Sequence, residues 1–339
     1  MTRLQALLFG LGQIGCGYDL ELPFQADQPS SGEATLSHAR ALACHPQVQL
    51  MAAIDPDAEA RRRFERCYGV KAFACLNYWR RAMPNAAVDL AVVAVPAVLQ
   101  PLLVEELLYM LAPRLLLLEK PVAISCMEGE RLRRACATQP QLQVAVNYIR
   151  RYLPEVLKLQ QRLQAGDLGH LLHGRLVYGK GLLSNGSHFV NLAEAWLGPL
   201  YPGSCMDPGE AFAGFDRDAS LTLLAHRHGD ASLLVQSVGG AGLRAGELDL
   251  WFSKGRLRWE NDGKTISVWS LAPAVPGESH RSLEAEPERM ATGLKHYQHH
   301  VLHSLVRRLL EPERSPLHCT LVDGLQTLEI LERALDAGE

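Results

Sequence analysis

The chain holds 339 residues, 47% of them hydrophobic and 21% charged, with a formal net charge of −3 from 34 Lys and Arg against 37 Asp and Glu. At roughly 100–200 residues per domain, this length predicts about two domains with real cores. The hydrophobic content and small net charge exclude a disordered chain, a collagen-like repeat and a strongly basic binder of nucleic acid or anionic membrane. No apolar run reaches the ~18–20 residues of a spanning helix. Residues 1–10 carry one positive charge, a short apolar run and no small-residue cleavage site, so a secretory leader is not expected. The eight cysteines (Cys16, Cys44, Cys67, Cys75, Cys126, Cys136, Cys205 and Cys319) form no C-x-x-C pair. They read as reduced thiols of a cytoplasmic protein.

In chain order, residues 4–9 read as a strand, 38–45 as a helix, 48–54 as a strand and 58–68 as a helix with an arginine-rich wet face. Residues 88–95 form a continuous apolar run ending at Pro96, the form of a strand buried on both faces. Helix, strand, helix and strand follow at 102–111, 114–118, 127–137 and 142–146. This alternation predicts a parallel sheet covered by helices. The second half reads as strands at 171–178, 219–226, 231–238, 247–252, 255–259 and 265–269, then helices at 297–310 and 317–335. A run of strands in succession predicts a large, mainly antiparallel sheet in an α+β domain. The fold class is therefore α/β, with a dinucleotide-binding domain over 1–149 and a substrate-binding or oligomerisation domain over 150–339.

Gly10-Leu-Gly12-Gln13-Ile14-Gly15 directly follows the first strand and matches G-x-G-x-x-G. In that pattern the first glycine permits a tight turn, the second lets backbone N–H groups approach a pyrophosphate, and the third packs helix on strand. Asp55 ends the second strand, where a carboxylate accepts from ribose hydroxyls and repels a 2′-phosphate, so NAD is favoured over NADP. Asp55 lies well beyond the usual ~20 residues from the loop. Residues 16–35, rich in Pro, Gly, Ser and acids, account for this as an insertion before the first helix.

Four segments occur in order: the 10–15 loop, Glu119-Lys120-Pro121, Asn147-Tyr148-Ile149-Arg150-Arg151, and Asn185-Gly186-Ser187-His188 before a helix. Together they resemble the Gfo/Idh/MocA family of sugar and polyol oxidoreductases over almost the whole chain. The resemblance implies a Rossmann domain, a second domain whose open sheet floors the active site and often joins subunits, and a Lys-Pro bond that is often cis. It further implies that Lys120 and His188 are the catalytic pair beside the nicotinamide. Gly10, Gly12, Gln13, Ile14, Gly15, Asp55, Val95, Pro96, Glu119, Lys120 and Pro121 would bind the cofactor. Lys120, Tyr148, Arg150, Lys180, Asn185 and His188 would bind substrate. The residue types suit the chemistry. Oxidising an alcohol needs a base for the hydroxyl proton, and a lysine of lowered pKa or a neutral histidine can serve.

The chain departs from the family pattern at three places. Asn191 stands three residues after His188 and Ser184 four before it, where relatives carry aspartate. Gln100 replaces a histidine that commonly lies near the cofactor. The expected function is NAD-dependent hydride transfer to or from a sugar, including nucleotide-activated, amino or acidic sugars. The other readings are a retained-NAD enzyme of glycoside cleavage or epimerisation, and a silent regulator. The expected partners are a small sugar and copies of the chain, as a dimer or tetramer, with no nucleic acid and no membrane. His296, His299, His300 and His303 have helical i, i+4 spacings but no H-E-x-x-H, so they read as a surface or contact face and no metal is expected.

Overall fold

The apolar runs that read as doubly buried strands do lie side by side. The structure, a computed structural model, describes residues 3–22, 34–214, 216–239, 245–260, 263–277 and 279–337. Its contacts group the chain into two compact units: Met1–Tyr152 with Lys295–Leu325, and Leu153–Leu294 with Gln326–Glu339. The sequence division into two consecutive segments at 149/150 differs from this interleaving, in which Lys295–Leu325 returns to the first unit and the last residues to the second.

The first unit is built on six parallel strands: β1 (Leu4–Phe9), β2 (Val48–Ile54), β3 (Ala72–Phe73), β4 (Leu90–Val93), β5 (Leu115–Leu118) and β6 (Gln143–Val146). Their order is β3-β2-β1-β4-β5-β6. That is the doubly wound Rossmann order, in which ligands bind beyond the strand C-termini at the point where the order reverses. Here that point lies between β1 and β4. Every residue of β4 and β5 is buried, because helices cover both faces. The helices are α1 (His38–Cys44), α2 (Ala58–Tyr68), α3 (Leu76–Ala82), α4 (Gln100–Met110) and α5 (Cys126–Ala137). The short β3 and α3 carry too few residues for their period to be read.

The excursion after the glycine loop enters the first helix rather than preceding it. Cys16 N–H donates to the Gly12 carbonyl at 2.9 Å, closing one helical turn. The chain then leaves, and on its return His38 and Ala39 N–H donate to the Ile14 and Gly15 carbonyls at 3.0 and 2.8 Å. The helix thus resumes on its own first turn. The base of the excursion is tied by buried Asp19, whose carboxylate accepts from the Leu36 and Ser37 N–H groups at 2.7 and 2.9 Å. Arg40 Nη2 donates to the Asp19 and Leu22 carbonyls at 2.7 Å each. The central part of the predicted insertion, 23–33, lies outside the described residues.

The second unit carries eight strands: β7 (Leu171–Tyr178), β8 (Leu200–Asp207), β11 (Ser220–Ala225), β12 (Ala231–Ser237), β13 (Gly246–Phe252), β14 (Gly255–Glu260), β15 (Thr265–Ser270) and β16 (Glu288–Ala291). Their order is β16-β15-β14-β13-β7-β12-β11-β8. The pairs are antiparallel except β7 with β12. β9 (Ala211–Ala213) and β10 (Asp216–Arg217) form a separate hairpin. Strict alternation in β13 and β14 buries Leu248, Leu250, Leu257 and Trp259 on one face. Helices α6 (Pro154–Gln164) and α7 (Ser187–Leu197) belong to this unit, and Trp196 of α7 packs against Trp259 with ring centroids 6.2 Å apart. The other sheet face shows Arg256 over Trp251 at 4.3 Å, with His173 stacked on the same indole. Helix α8 (Tyr297–Leu310) lies in the first unit, and the unit boundary falls within α9 (Leu321–Asp336). The last helix therefore begins four residues later than the sequence reading at 317, because Asp323 accepts from Thr320 and fixes the start. No helix of the described residues is long and apolar enough to cross a membrane.

Candidate functional site

The glycine loop has the steric character its pattern requires. Gly10 has φ +94°, and a Cβ there would lie 2.4 Å from the Ala94 carbonyl oxygen and 3.1 Å from Val95 Cγ1. Gly15 presses on Gly10, since its Cβ would lie 2.1 Å from the Gly10 oxygen. Gly12 is the opposite case, with nothing within 4 Å of a Cβ. It is exposed, as is Gln13, with Ile14 half-buried. The N–H groups of Gly12, Gln13 and Ile14 donate to no group among the described residues. Unsatisfied N–H groups at the first turn of a helix form an anion cradle.

Asp55 lies against this loop. Its Oδ2 accepts from the Leu11 N–H at 2.7 Å and its Oδ1 from the Asp57 N–H at 2.8 Å. Arg61 donates to the Asp55 and Pro56 carbonyls at 2.7 and 2.8 Å, so its guanidinium is already engaged. A cavity of about 400 Å³ is lined by Leu11, Gly12, Gln13, Cys16, Ala60 and Arg63, and by Tyr18–Leu22 of the excursion. Burial beside Cys67 and Asp19 pushes the Cys16 thiol up to about 12, which keeps it protonated and inert. These groups fit the pyrophosphate and ribose of a dinucleotide.

At the end of β5 the Lys120–Pro121 bond is cis. The fully buried Gln100, first residue of α4, donates from Nε2 to the carbonyls of Glu119 and Pro121 at 2.9 and 2.8 Å. Both carbonyls flanking Lys120 are thereby gripped by one amide. The sequence marked Gln100 only as a departure, and the structure shows what it does. Glu119 is held in turn. Its Oε1 meets His38 Nε2 at 2.7 Å and accepts from the Asn147 amide, while its Oε2 accepts from the Lys120 N–H at 3.2 Å. Gln298 of α8 lies 3.5 Å from the same histidine nitrogen. All four side chains are buried. His38 and Gln298 were not legible as site residues, because nothing local marks a helix-start histidine as the partner of a carboxylate 81 residues away.

Val95 and Pro96 follow β4, with Val95 against Gly10 and Pro96 exposed. Tyr148 and, in the 149–152 turn that follows it, Arg150 are buried, and Arg151 lies 3.5 Å from Asp323. Gly10, Val95, Gln100, Glu119 and Lys120 therefore cluster at the C-terminal edge of the first sheet.

Lys180, Asn185 and His188 lie in the second unit. Lys180 is exposed and has φ 69°, a left-handed conformation that costs a lysine about 1–2 kcal/mol. Residues Leu182–Gly186 form a π-helical turn leading into α7, a form frequent at functional sites. Buried Asp216 caps that turn, accepting from the Leu183 and Ser184 N–H groups at 2.9 and 2.7 Å. Asp218 accepts from the Gly181 N–H at 2.8 Å. The sequence reading missed both acids, which come from a hairpin more than 30 residues downstream. Asn185 Nδ2 donates to the Gly179 and Ala245 carbonyls at 2.7 and 3.2 Å, so this amide ties the turn to the sheet and leaves only its oxygen for a substrate hydroxyl. His188 is buried as the second residue of α7. Asn191 donates to Thr327 Oγ1 at 2.9 Å and Thr327 donates to Glu194 at 2.6 Å, so the residue in the aspartate position serves packing of α7 on α9.

A larger hollow of about 530 Å³, lined by His170, Leu171, Arg227 and His228, contains none of the predicted site residues. His299 and His303 of the histidine-rich helix turn toward buried His45, with ring centroids 6.4 and 5.8 Å from it. No group of three potential ligands among the described residues is placed to hold a metal.

The profile of the Gfo/Idh/MocA family, described as the oxidoreductase family with an NAD-binding Rossmann fold, matches residues 31–148. No curated protein matches the chain in sequence. Among solved structures, the WlbA dehydrogenase of Bordetella pertussis in complex with NADH and UDP-GlcNAcA superposes with a TM-score of 0.76 at 17% identity, over 99% of this chain and 95% of that one. A variant of KijD10, a 3-ketoreductase of Actinomadura kijaniata in complex with TDP-benzene and NADP, gives 0.73 at 15%, over 100% and 98%. An Agrobacterium radiobacter oxidoreductase in complex with NAD+, L-tartaric acid and magnesium gives 0.71 at 15%, over 99% and 96%. At these identities the likeness establishes the fold: a Rossmann unit with a large, mostly antiparallel second sheet.

Proposed function

We propose, taking residues 31–148 as a segment of the Gfo/Idh/MocA oxidoreductase family, that the protein is an NAD-dependent oxidoreductase acting on a sugar hydroxyl or carbonyl. The observation that carries this is the seat of Lys120, whose flanking carbonyls are both gripped by Gln100 on the same sheet edge as the open Gly12 cradle. A bound nicotinamide dinucleotide would supply the acceptor or donor of hydride. The N–H groups of Gly12, Gln13 and Ile14 would hold its pyrophosphate and Asp55 its ribose, which favours NAD over NADP. Lys120 Nζ takes the hydroxyl proton as the C–H hydride leaves, and returns it to the carbonyl oxygen in the reverse direction. His188 assists in holding that oxygen. Gln100 and Glu119 position Lys120 and do not react.

The substrate class proposed is a nucleotide-linked sugar. One structural relative was solved with such a ligand, UDP-GlcNAcA, and another with a nucleoside diphosphate bearing a phenyl group, TDP-benzene, and the second unit presents a strained, exposed Lys180. The open sheet face bearing Trp251, Trp269 and Arg256 is proposed as a contact between copies of the chain. A cytoplasmic location goes with this reading, and all eight cysteines are free thiols.

The test follows reduced-nicotinamide absorbance with NAD or NADP and free sugars, sugar phosphates, uronic acids and nucleotide sugars. Wild type should turn over one class. Lys120→Met should lose a hundredfold to ten-thousandfold in turnover while still binding NAD, the range of a removed general acid/base. Equal turnover by the variant would overturn the assignment of Lys120. NAD released only on denaturation, with no NADH formed by any sugar, would instead indicate a retained-cofactor enzyme or a regulator.

A further inference from the structure

We propose that Phe212 and Lys180 form the nucleoside-diphosphate subsite of the substrate site: the Phe212 ring stacks on the base and the Lys180 ammonium meets the diphosphate. The inference rests on the nucleotide-sugar reading above and assigns it to residues.

Three observations in the second unit carry it. First, Lys180 occupies the left-handed region at φ 69°. The backbone on either side is held by Asp218 and Asn185, but the ammonium itself makes no hydrogen bond or ion pair among the described residues, so the fold holds a lysine in this conformation with no use for its charge within the unit. A strained residue that persists without such a partner points to a ligand. Second, the β9–β10 hairpin is bound to the turn that presents Lys180. Asp216 and Asp218 accept from the Leu183, Ser184 and Gly181 N–H groups, and Asp216 also accepts from the Arg217 N–H at 2.9 Å. These bonds engage both carboxylates with backbone donors, which lessens their opposition to an anion nearby. The hairpin's own cation, Arg217, is engaged with the Gly209 carbonyl at 3.2 Å. Third, the same hairpin lays Phe212 on the next residue of the turn. A Cβ on Gly181 would lie 2.8 Å from Phe212 Cδ1, yet Phe212 as a residue remains 43% exposed.

An exposed aromatic ring one residue along the turn from a lysine whose ammonium has no partner is a pairing that suits a single nucleotide. A base stacks on the ring whatever its sequence identity, and a compact ammonium binds phosphate as a point charge. A free hexose would use the ring but not the cation. A uronic acid would use both, its sugar face on the ring and its carboxylate on the ammonium, and is the competitor the test must separate; a nucleoside diphosphate uses them with a larger planar base and more negative charge.

The experiment titrates the full-length protein, with NAD present, with UDP, TDP and UDP-GlcNAcA by calorimetry. Wild type should bind, and Phe212→Ala should weaken the nucleotides tenfold or more. Phe212→Trp should retain affinity, and its indole emission should be quenched by a stacked base. Lys180→Gly is the sharpest variant: it should raise the unfolding midpoint, because glycine accepts the left-handed conformation, and still bind UDP at least tenfold more weakly. A lysine with only a structural role would not separate these two effects. Wild-type binding that neither substitution weakens would overturn the subsite and leave the nucleotide-sugar reading standing. If wild type binds none of the three nucleotides, both fail together. Glucuronic acid serves as the control, since glucuronic acid bound as tightly as UDP-GlcNAcA and weakened by the same substitutions, with UDP and TDP not bound, would give the site to a free acidic sugar and overturn the subsite.

Discussion

Lys120 in the first unit and Lys180 in the second are both presented by backbone that a buried side chain grips, but the grips have opposite polarity. Around Lys120, the Gln100 amide donates to two carbonyls at the end of a strand. Around Lys180, the Asp216 and Asp218 carboxylates accept from N–H groups that open a π-helical turn. The difference follows from what each backbone leaves unsatisfied. A strand leaving its sheet strands carbonyls, whereas a helical start strands N–H groups. Gln100 is a neutral group and adds no charge beside the proposed proton-transfer lysine. Asp216 and Asp218 each bring a negative charge, which suits a helix start.

The largest effect should come from removing the charged grip. Asp216→Ala leaves the Leu183 and Ser184 N–H groups without their acceptor and should destabilise the second unit by about 3 kcal/mol, with Asp216→Asn roughly half as harmful. Four of the five tryptophans (Trp196, Trp251, Trp259 and Trp269) lie in that unit, so a urea titration followed by fluorescence reports on it. An unchanged midpoint would show that the hairpin does not hold the turn.

Acid should distinguish the units next. Burial, with His303 and His299 facing it, lowers the His45 pKa from 6.5 to about 4. The unfolded chain therefore takes up this proton near pH 6.5 and the folded first unit does not. Stability present above pH 6.5 is lost as pH falls toward 4, about 3 kcal/mol in all. His299 is shifted in the same direction by burial and by His303. Proteolysis of the first unit at pH 4.5 and 7 should show this, and His45→Phe should flatten the difference. Equal acid sensitivity in that variant would remove His45 from the account.

Gln100→Leu tests the neutral grip. Two buried carbonyls lose their donor, which should cost about 2 kcal/mol in stability. Turnover should fall tenfold or more with NAD affinity nearly unchanged, because the loss acts on Lys120 and not on the cradle. A matching loss of NAD affinity would place Gln100 in cofactor binding instead. The smallest effect is expected at Asp55. Asp55→Ala should weaken NAD about tenfold, near 1.4 kcal/mol, and narrow its advantage over NADP. A retained preference for NAD would show that Asp55 does not select the cofactor.

Much of the first unit was legible because its determinants are local. Buried parallel strands are unbroken apolar runs, and the glycines of the cofactor loop are separated by fixed short spacings. The strands of the second sheet show equally well through alternation, as in β13 and β14. What stayed hidden was long-range polar partnership. Glu119 and Lys120 stood out as a motif, but the group bonded to Glu119 is His38, delivered by a helix interrupted after its first turn. Asn185 looked like a sugar contact, yet its amide hydrogens are used within the fold. Asn191, read as a lost acid, bonds Thr327.

The sequence by itself determined the two-sheet architecture, the glycine cradle with Asp55 at its side, and the presence of the Glu-Lys-Pro and Asn-Gly-Ser-His segments. Periodicity and short-range sterics are written residue by residue, so they survive without coordinates. The tertiary structure decided which buried groups hold those segments in place: Gln100 over the carbonyls beside Lys120, His38 on Glu119, and the β9–β10 hairpin behind Lys180. These pairings span tens to hundreds of residues. Each exists because a buried polar group must find a partner in space, and the partner's position along the chain leaves no local trace.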